Sequence, residues 1–357
     1  MDTDRLPAHT RQPAAASGAE PPRAGRRERP LSELWRALGL FCALAALALS
    51  EGVGAAPLPS DGQFGPLVSA RALEAQLGRV RVVDIREGKG PDSPYAAGHI
   101  PGAVAAEYSA WRGPADDPGA LLPLRRFTAL VRGLGIDAQT PVVLVSAGGD
   151  PSDFGAPARV YWTLKWLGVK HLAILNGGMA AWSAADLPVS TRQVTVKPSD
   201  FAPTLDATVL ATRSTVERDL GDPAFTLFLD ARPRAFYLGR VKAPAARRPG
   251  TLPGALDFDN ARWFKGGSGT LPPAATLARI ARGLPQQPGA TQTVSFCNTG
   301  HWAATNWFVL SEVLHRPDVR LYPGSMVDWS RANAPMANVP SRLQQLHSQL
   351  EQLWQAL

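Results

Sequence analysis

The chain carries two cysteines, Cys42 and Cys297, and only the second has a local sequence suited to chemistry. Cys297 follows an apolar β-type run, Gln292 to Phe296, and opens the segment Cys297-Asn298-Thr299-Gly300-His301-Trp302. Behind it Ala303, Trp307, Leu310 and Leu314 recur at helical spacing. Strand, short loop and helix in that order place the sulfur at the carboxyl edge of a sheet, where ligands bind in open α/β folds. The first turn of a helix has unpaired N–H groups and a partial positive charge, and both favour thiolate over thiol. Gly300 lets the loop curl so that successive N–H groups form an anion-binding nest. Asn298 and Thr299 act there mainly through their backbone N–H groups. His301, a residue type with an ordinary pKa of about 6.5, either pairs with the thiolate, binds an anion, or is a helix-start residue bonded to backbone. Trp302 is a pocket wall or a core contact.

The elements that must hold this loop occur twice along the chain, which is the mark of an internal repeat. The first half has Val82-Val83-Asp84-Ile85-Arg86, Tyr95, and Gly98-His99-Ile100-Pro101-Gly102-Ala103. The second has Phe228-Leu229-Asp230-Ala231-Arg232, Tyr237, and Gly250-Thr251-Leu252-Pro253-Gly254-Ala255. Further on, an apolar run from Pro141 to Ser146 leads into a helical pattern at Val160, Leu164 and Leu167, as the run before Cys297 does. A second strand follows, Leu172–Leu175 or Val319–Tyr322, and then Gly177-Gly178-Met179 with Trp182, or Gly324-Ser325-Met326 with Trp329. Strands alternating with helices predict an α/β fold, with two mainly parallel sheets flanked by helices, one for each copy of the repeat. The boundaries fall at 62–190 and 208–340, with 191–207 as linker. Pro244 to Pro249 belongs to an inserted loop. Leu343, Leu346, Leu350, Leu353 and Leu357 mark an amphipathic helix over 341–357, too short to be stable alone.

The composition, 45% hydrophobic and 19% charged over 357 residues, suits two globular domains. The formal charge is +7. Residues 1–55 contain 7 Arg and 6 Asp or Glu and so contribute +1 of it. The body keeps the rest, which favours small anions over nucleic acid, since no long basic run or nucleic-acid motif accompanies it. Residues 1–36 are rich in Arg, Pro and Ala. An apolar run, Ala37 to Leu49, comes next, and then the small-residue pattern Val53-Gly54-Ala55-Ala56. This reads as a secretory signal cleaved near Ala55, hence export to a periplasm. The alternative is a membrane anchor at 37–49, although a comfortable span needs about 20 residues. Cys42 would leave with the signal, so the mature chain would keep one cysteine and no internal disulfide. A lone thiol of that kind is a reactive nucleophile, an intermolecular partner or an inert buried group.

Together the Asp-x-Arg strand ends, the x-x-Pro-Gly-Ala turns and the Cys297 loop resemble the tandem-domain rhodanese family of sulfurtransferases, over residues 62–340. The resemblance implies two α/β rhodanese-like domains related by a pseudo-twofold repeat, only the second carrying the cysteine. The first-domain loop, Ser146-Ala147-Gly148-Gly149-Asp150, agrees in having none. It implies that Cys297 takes the outer sulfur of thiosulfate or a related donor as a persulfide and passes it to cyanide or a thiol, a covalent relay with ping-pong kinetics. The expected partners are therefore a small anionic donor, such an acceptor and a sulfur-carrier protein, with no cofactor and no metal. The mature protein is expected to be a monomer, with a dimer as the alternative. Asp230 and Arg232 are expected to brace the loop; Asp84, Arg86 and His99 are expected to be structural. Trp263, Trp307 and Trp329 read as core, with cleft lining as the alternative.

Three departures from the family pattern bear on the donor. Asn298 and Thr299 stand where thiosulfate enzymes of the family usually have Arg and Lys. The Gly-Ser-Gly type loop of mercaptopyruvate members is also absent. Phe236 stands where a substrate arginine is expected, which leaves Arg234 as the candidate substitute. Phosphatases of the same fold close their loop with an arginine, whereas Trp302 is followed here by Ala303-Ala304-Thr305. The remaining alternative is a sulfur-delivery module that holds a persulfide but turns over small donors poorly.

Overall fold

The computed structural model describes residues 64–221 and 225–341. The expected signal over 1–55, its apolar run, Cys42 and the leucines of the C-terminal tail lie outside the described residues. The first half contains β1 (Leu67–Val68), α1 (Ala70–Glu74), β2 (Arg81–Asp84), α2 (Pro94–Ala97), β3 (Val104–Ala105), a 3-10 turn (Tyr108–Trp111), α3 (Leu124–Gly133), β4 (Val142–Val145), α4 (Gly155–Leu167), β5 (Leu172–Leu175) and α5 (Gly178–Ala184). The second contains α6 (Arg213–Asp219), β6 (Thr226–Asp230), α7 (Arg234–Tyr237), β7 (Leu256–Asp257), a 3-10 turn (Asn260–Trp263), α8 (Ala274–Arg282), β8 (Gln292–Phe296), α9 (Trp302–Trp307), β9 (Val319–Leu321) and α10 (Ser325–Arg331).

Both sheets are parallel throughout, ordered β1-β5-β4-β2-β3 and β7-β6-β8-β9. A parallel bridge from Leu210 to Leu321 gives the second sheet the counterpart of β1. Covered on both faces, the central strands are apolar on consecutive residues, as Val142–Val145 shows. Helix starts follow from local chemistry: Ser69, Ser93 and Thr212 each accept a first-turn N–H on the side-chain oxygen, and Pro94 occupies the first turn of α2. Residues 191–206 form neither helix nor strand. They run back along the first half, where Arg132 Nε donates to the Phe201 carbonyl at 2.8 Å and the Asp206 N–H donates to the Trp166 carbonyl at 2.8 Å.

The repeat extends to individual hydrogen bonds. The Ile85 N–H donates to the Val145 carbonyl, as the Ala231 N–H does to that of Phe296, both at 2.9 Å. The Met179 N–H donates to the Ser146 carbonyl at 2.9 Å, as the Met326 N–H does to that of Cys297 at 3.0 Å. Ser146 is thus the positional counterpart of Cys297.

Each sheet has an apolar cluster of its own on the outer face, and one larger core joins the two inner faces. Helices α4 and α9 meet in that shared core. Tyr161 and Phe308 are edge-to-face at 5.0 Å, and Tyr161 Oη donates to Glu312 Oε2 at 2.9 Å, an oxygen that also pairs with Lys165. The helical pattern expected through Leu314 changes pitch on the way: α9 gives way to a π-helical segment, Phe308–Val313. Phe308 and Glu312 both meet Tyr161 of the first half. Trp263, Trp307 and Trp329 are fully buried. Among the described residues, no helix is long and apolar enough to cross a membrane.

Candidate active site

Cys297 stands one residue past the end of β8, only 1% exposed, against a cavity of about 450 Å³. Asn298, Thr299, His301 and Trp302 share its wall, and the opposite wall is Tyr108, Ser109 and Arg112 from the first half. The loop is hung from its ends. The Cys297 N–H donates to Ser325 Oγ at 3.0 Å, Ser325 Oγ–H donates to the Tyr322 carbonyl at 2.7 Å, and the Cys297 and Asn298 carbonyls accept from α10. Between those ends, among the described residues, no acceptor meets the N–H groups of Asn298, Thr299, Gly300, His301 or Trp302. Gly300 adopts φ +72°, and a Cβ there would lie 2.7 Å from the Pro323 carbonyl and 2.8 Å from Arg159 Nη1. Only glycine fits that turn without displacing a neighbour.

Asp230 and Arg232 form the brace beneath the loop. Both are buried, and Arg232 donates through Nε and Nη2 to the two carboxylate oxygens at 2.8 and 2.6 Å. Arg232 also reaches the Gly250 carbonyl at 2.9 Å and, through Nη1, Asn298 Oδ1 at 3.3 Å. Thr251 Oγ1 completes the set on Asp230 at 2.7 Å. In the first half, Arg86 makes the same bidentate pair with Asp84 and the same bond to a turn carbonyl, that of Gly98. His99 is buried beside that pair, stacked on Tyr95 at 3.8 Å and bonded to the Tyr95 and Arg192 carbonyls.

His301 is differently placed from an ion partner. Nε2 lies 2.8 Å from the Ser152 carbonyl, which only accepts, so Nε2 holds the proton. Nδ1 then accepts the Tyr108 hydroxyl at 2.8 Å. Burial first, and then Arg112 and Arg159, push its pKa down to about 4, against weaker opposing effects of the Ser152 bond and Asp150. The ring is neutral at ordinary pH and ties the cysteine loop to the first half. Trp302 does the same through an Nε1–H bond to Ser152 Oγ at 2.8 Å, while its ring meets Phe236 edge-on.

Arg234, the sequence's candidate for an anion, is not at the cavity. Its side chain is 73% exposed, and it pairs with Asp257 at 3.0 Å. The short helix α7 begins at Arg234 and turns it outward, while Phe236 lies under the Arg232 guanidinium and beside Trp302. Cationic groups do reach the loop, from the other half. Arg112 donates through Nη2 to the Thr299 carbonyl at 2.7 Å, over the Tyr108 ring, and Arg159 lies behind Gly300. No sequence motif marks Tyr108, Arg112, Ser152 or Arg159, because their partners are about 150 or more residues away. The only local hint for Ser325 was its place beside Gly324.

A paired α/β scaffold with a single cysteine in an open backbone loop is the architecture of a sulfur-handling transferase. A model of the rhodanese-like domain matches residues 69–185 and again 212–332, and the chain belongs to the rhodanese family. The probable 3-mercaptopyruvate sulfurtransferase of Pseudomonas aeruginosa is 32% identical over 247 residues, covering 66% of this chain and 82% of that protein. A putative thiosulfate sulfurtransferase of Mycolicibacterium smegmatis is 30% identical over 284 residues, covering 76% and 96%. Among solved structures, the 3-mercaptopyruvate sulfotransferase SseA from Escherichia coli superposes with a TM-score of 0.63 at 25% identity, covering 73% of this chain and 98% of that one. The chain is a sulfurtransferase of this tandem-domain type.

Proposed function

We propose that the protein moves a sulfane sulfur from thiosulfate or a related anionic donor, through a persulfide on Cys297, to a thiophilic acceptor such as cyanide or a thiol. The observation that carries this reading is the placement of Cys297. It is a free cysteine at the carboxyl edge of the second sheet, on a cavity wall and next to a run of unpartnered backbone N–H groups. Cys297 gives its proton to solvent, and the thiolate attacks the outer sulfur of thiosulfate. A bond forms between that sulfur and Sγ, and the bond between the donor's two sulfurs breaks. Sulfite leaves with the electron pair. The acceptor then attacks the outer persulfide sulfur and the pair returns to Sγ, so cyanide leaves as thiocyanate.

In this reading Asn298, Thr299 and Gly300 supply backbone donors to the anion, and His301 and Trp302 hold the loop against the first domain. Asp230 and Arg232 keep it in register, Arg234 takes no part, and the first domain carries no nucleophile. The relatives named for thiosulfate and for 3-mercaptopyruvate make these the two donors to compare. The arginine-rich start and the apolar run at 37–49 support export of the folded body.

The test is intact and peptide mass spectrometry after treatment with each donor, with Cys297→Ser alongside. One added sulfur on Cys297, discharged by cyanide and absent from the variant, is the expected result. A free, alkylatable Cys297 that takes sulfur from neither donor would remove small-donor transfer. A module loaded by a protein or polysulfide would then be the better reading.

A further inference from the structure

The loop around Cys297 has no cation of its own, since Asn298 and Thr299 occupy the positions after the cysteine. The first domain places two arginines against it. Arg112 lines the cavity. One of its terminal nitrogens, Nη2, is spent on the Thr299 carbonyl, while Nη1 is buried without a hydrogen-bond partner. Arg159, on α4, is 0% exposed, and none of its three guanidinium nitrogens meets a hydrogen-bond acceptor. Its Nη1 lies 2.8 Å from the point where a Cβ on Gly300 would stand, so the glycine is what lets the guanidinium approach the loop. The guanidinium also lies over the face of Trp162, at 5.1 Å. A guanidinium does not give up its proton in a protein, and a buried cation without a counter-ion is strongly disfavoured.

The groups that face Arg159 and Arg112 are few. The Tyr108 phenol is held protonated by burial and donates to His301, which is neutral. Glu87 stands at the rim, tied to Ser109 through both oxygens, and Asp150 lies beyond His301. Burial first, and then Arg112, act to discharge Arg159, while Tyr108 and Cys297 act to keep it charged; with the phenol protonated, Cys297 is the group left to become an anion beside it.

We propose that Arg159 is the buried counter-ion of the Cys297 thiolate and persulfide, and that Arg112 binds the oxyanion end of the donor, so that the charge the second-domain loop lacks comes from the first domain. This rests on Cys297 being the sulfur carrier. It makes the division of labour between the domains one of nucleophile and charge, and it selects donors with an anionic group next to the transferable sulfur. Arg159 is a positioning residue that acts through the field at Sγ, and Arg112 is a binding residue for the donor's anionic end.

The test reads charge directly at the sulfur and does not require turnover. Rates of alkylation by anionic iodoacetate and neutral iodoacetamide are measured on the unmutated protein and on glutathione at one pH, and their ratio is compared. The protein's ratio is expected to exceed that of the free thiol by about tenfold or more, the effect of a desolvated neighbouring cation. Arg112→Gln and Arg159→Gln should each lower it by about threefold to tenfold, and Arg159→Lys should stay within about threefold of the unmutated protein. A ratio no higher than that of glutathione overturns the proposal even if Arg159→Gln does not fold, and so does a ratio unchanged in folded Arg112→Gln and Arg159→Gln. Sulfur loading in the same samples keeps the two readings apart. Charge selectivity without loading removes small-donor transfer and keeps the arginines' role; loading without charge selectivity does the reverse.

Discussion

The loop that follows β4 and the loop that follows β8 hold the same place in the repeat and have opposite contents. Ser146 stands where Cys297 does, and its hydroxyl donates to Asp153 Oδ2 at 2.8 Å; the Gly148 N–H donates to the same oxygen. The first loop has thus filled its own anion site with a carboxylate from its own chain. The second has no acid between Cys297 and Trp302, and its N–H groups stay open. The turns behind the loops differ as well. Gly178 and Ser325 both adopt φ +52°. In the first half a Cβ would strike the Ser146 carbonyl at 2.4 Å, so glycine is required. In the second a serine accepts the strain of that conformation and places its hydroxyl under the Cys297 N–H. Two copies of one scaffold therefore diverge by what is left unoccupied at a sheet edge, with the braces underneath nearly unchanged.

The largest effect expected from this contrast is a failure to gain function. Ser146→Cys introduced together with Cys297→Ser should take up sulfur from thiosulfate at least about a thousandfold more slowly than the unmutated protein. Asp153 repels both thiolate and donor, and like charges brought together cost several kcal/mol. Mass spectrometry showing ready loading at position 146 would break the comparison. Next in size are the two braces. Arg232→Met strands Asp230 in a dry site and should cost about 3–5 kcal/mol in urea unfolding. Arg86→Met should cost about 1–2, because Arg86 is 13% exposed and water can replace part of what is lost. Equal losses would mean that the bond to Asn298 and the deeper burial of Arg232 contribute nothing.

Ser325 sharpens the comparison at a smaller scale. Ser325→Ala keeps the strained φ and leaves the Cys297 N–H without its acceptor, and should lower stability by about 1–3 kcal/mol and slow sulfur loading. Ser325→Gly should recover roughly 1 kcal/mol of the stability and none of the loading rate. Recovery of both would show that the hydroxyl serves only the fold. His301 adds an effect that depends on pH. Its folded pKa of about 4 is below the ordinary 6.5, so below pH 6.5 the unfolded chain binds a proton that the folded chain refuses. Stability contributed by the neutral ring is complete above pH 6.5 and is lost as pH falls toward 4. Thermal melts from pH 7 to pH 4 should show that decline in the unmutated protein, and His301→Phe should lack this part of it. Identical slopes in the two proteins would contradict a folded pKa held below that of the free imidazole.

Much of this was legible in the sequence, and for a local reason. Alternating strand and helix patterns, Asp-x-Arg at two strand ends and a cysteine between an apolar run and a helix are short-range signals, and the sheets, turns and Asp230–Arg232 brace follow them closely. Arg234 was misleading because closeness along the chain says nothing about the side of a one-turn helix on which a residue falls. Of the three readings the sequence left open for His301, the choice depends on Tyr108 and Ser152, which are 193 and 149 residues away and leave no local signal.

What the sequence by itself determined is the scaffold repeated twice and the one cysteine at a sheet edge, because strand and helix periodicity and glycine turns act over a few residues. What only the tertiary structure decided is the electrical character of the site. Packing α4 against α9 carries Arg159, and the turn that ends at Trp111 carries Arg112, to a loop that has no cation of its own, and a charge acts through space on whatever the fold brings near it.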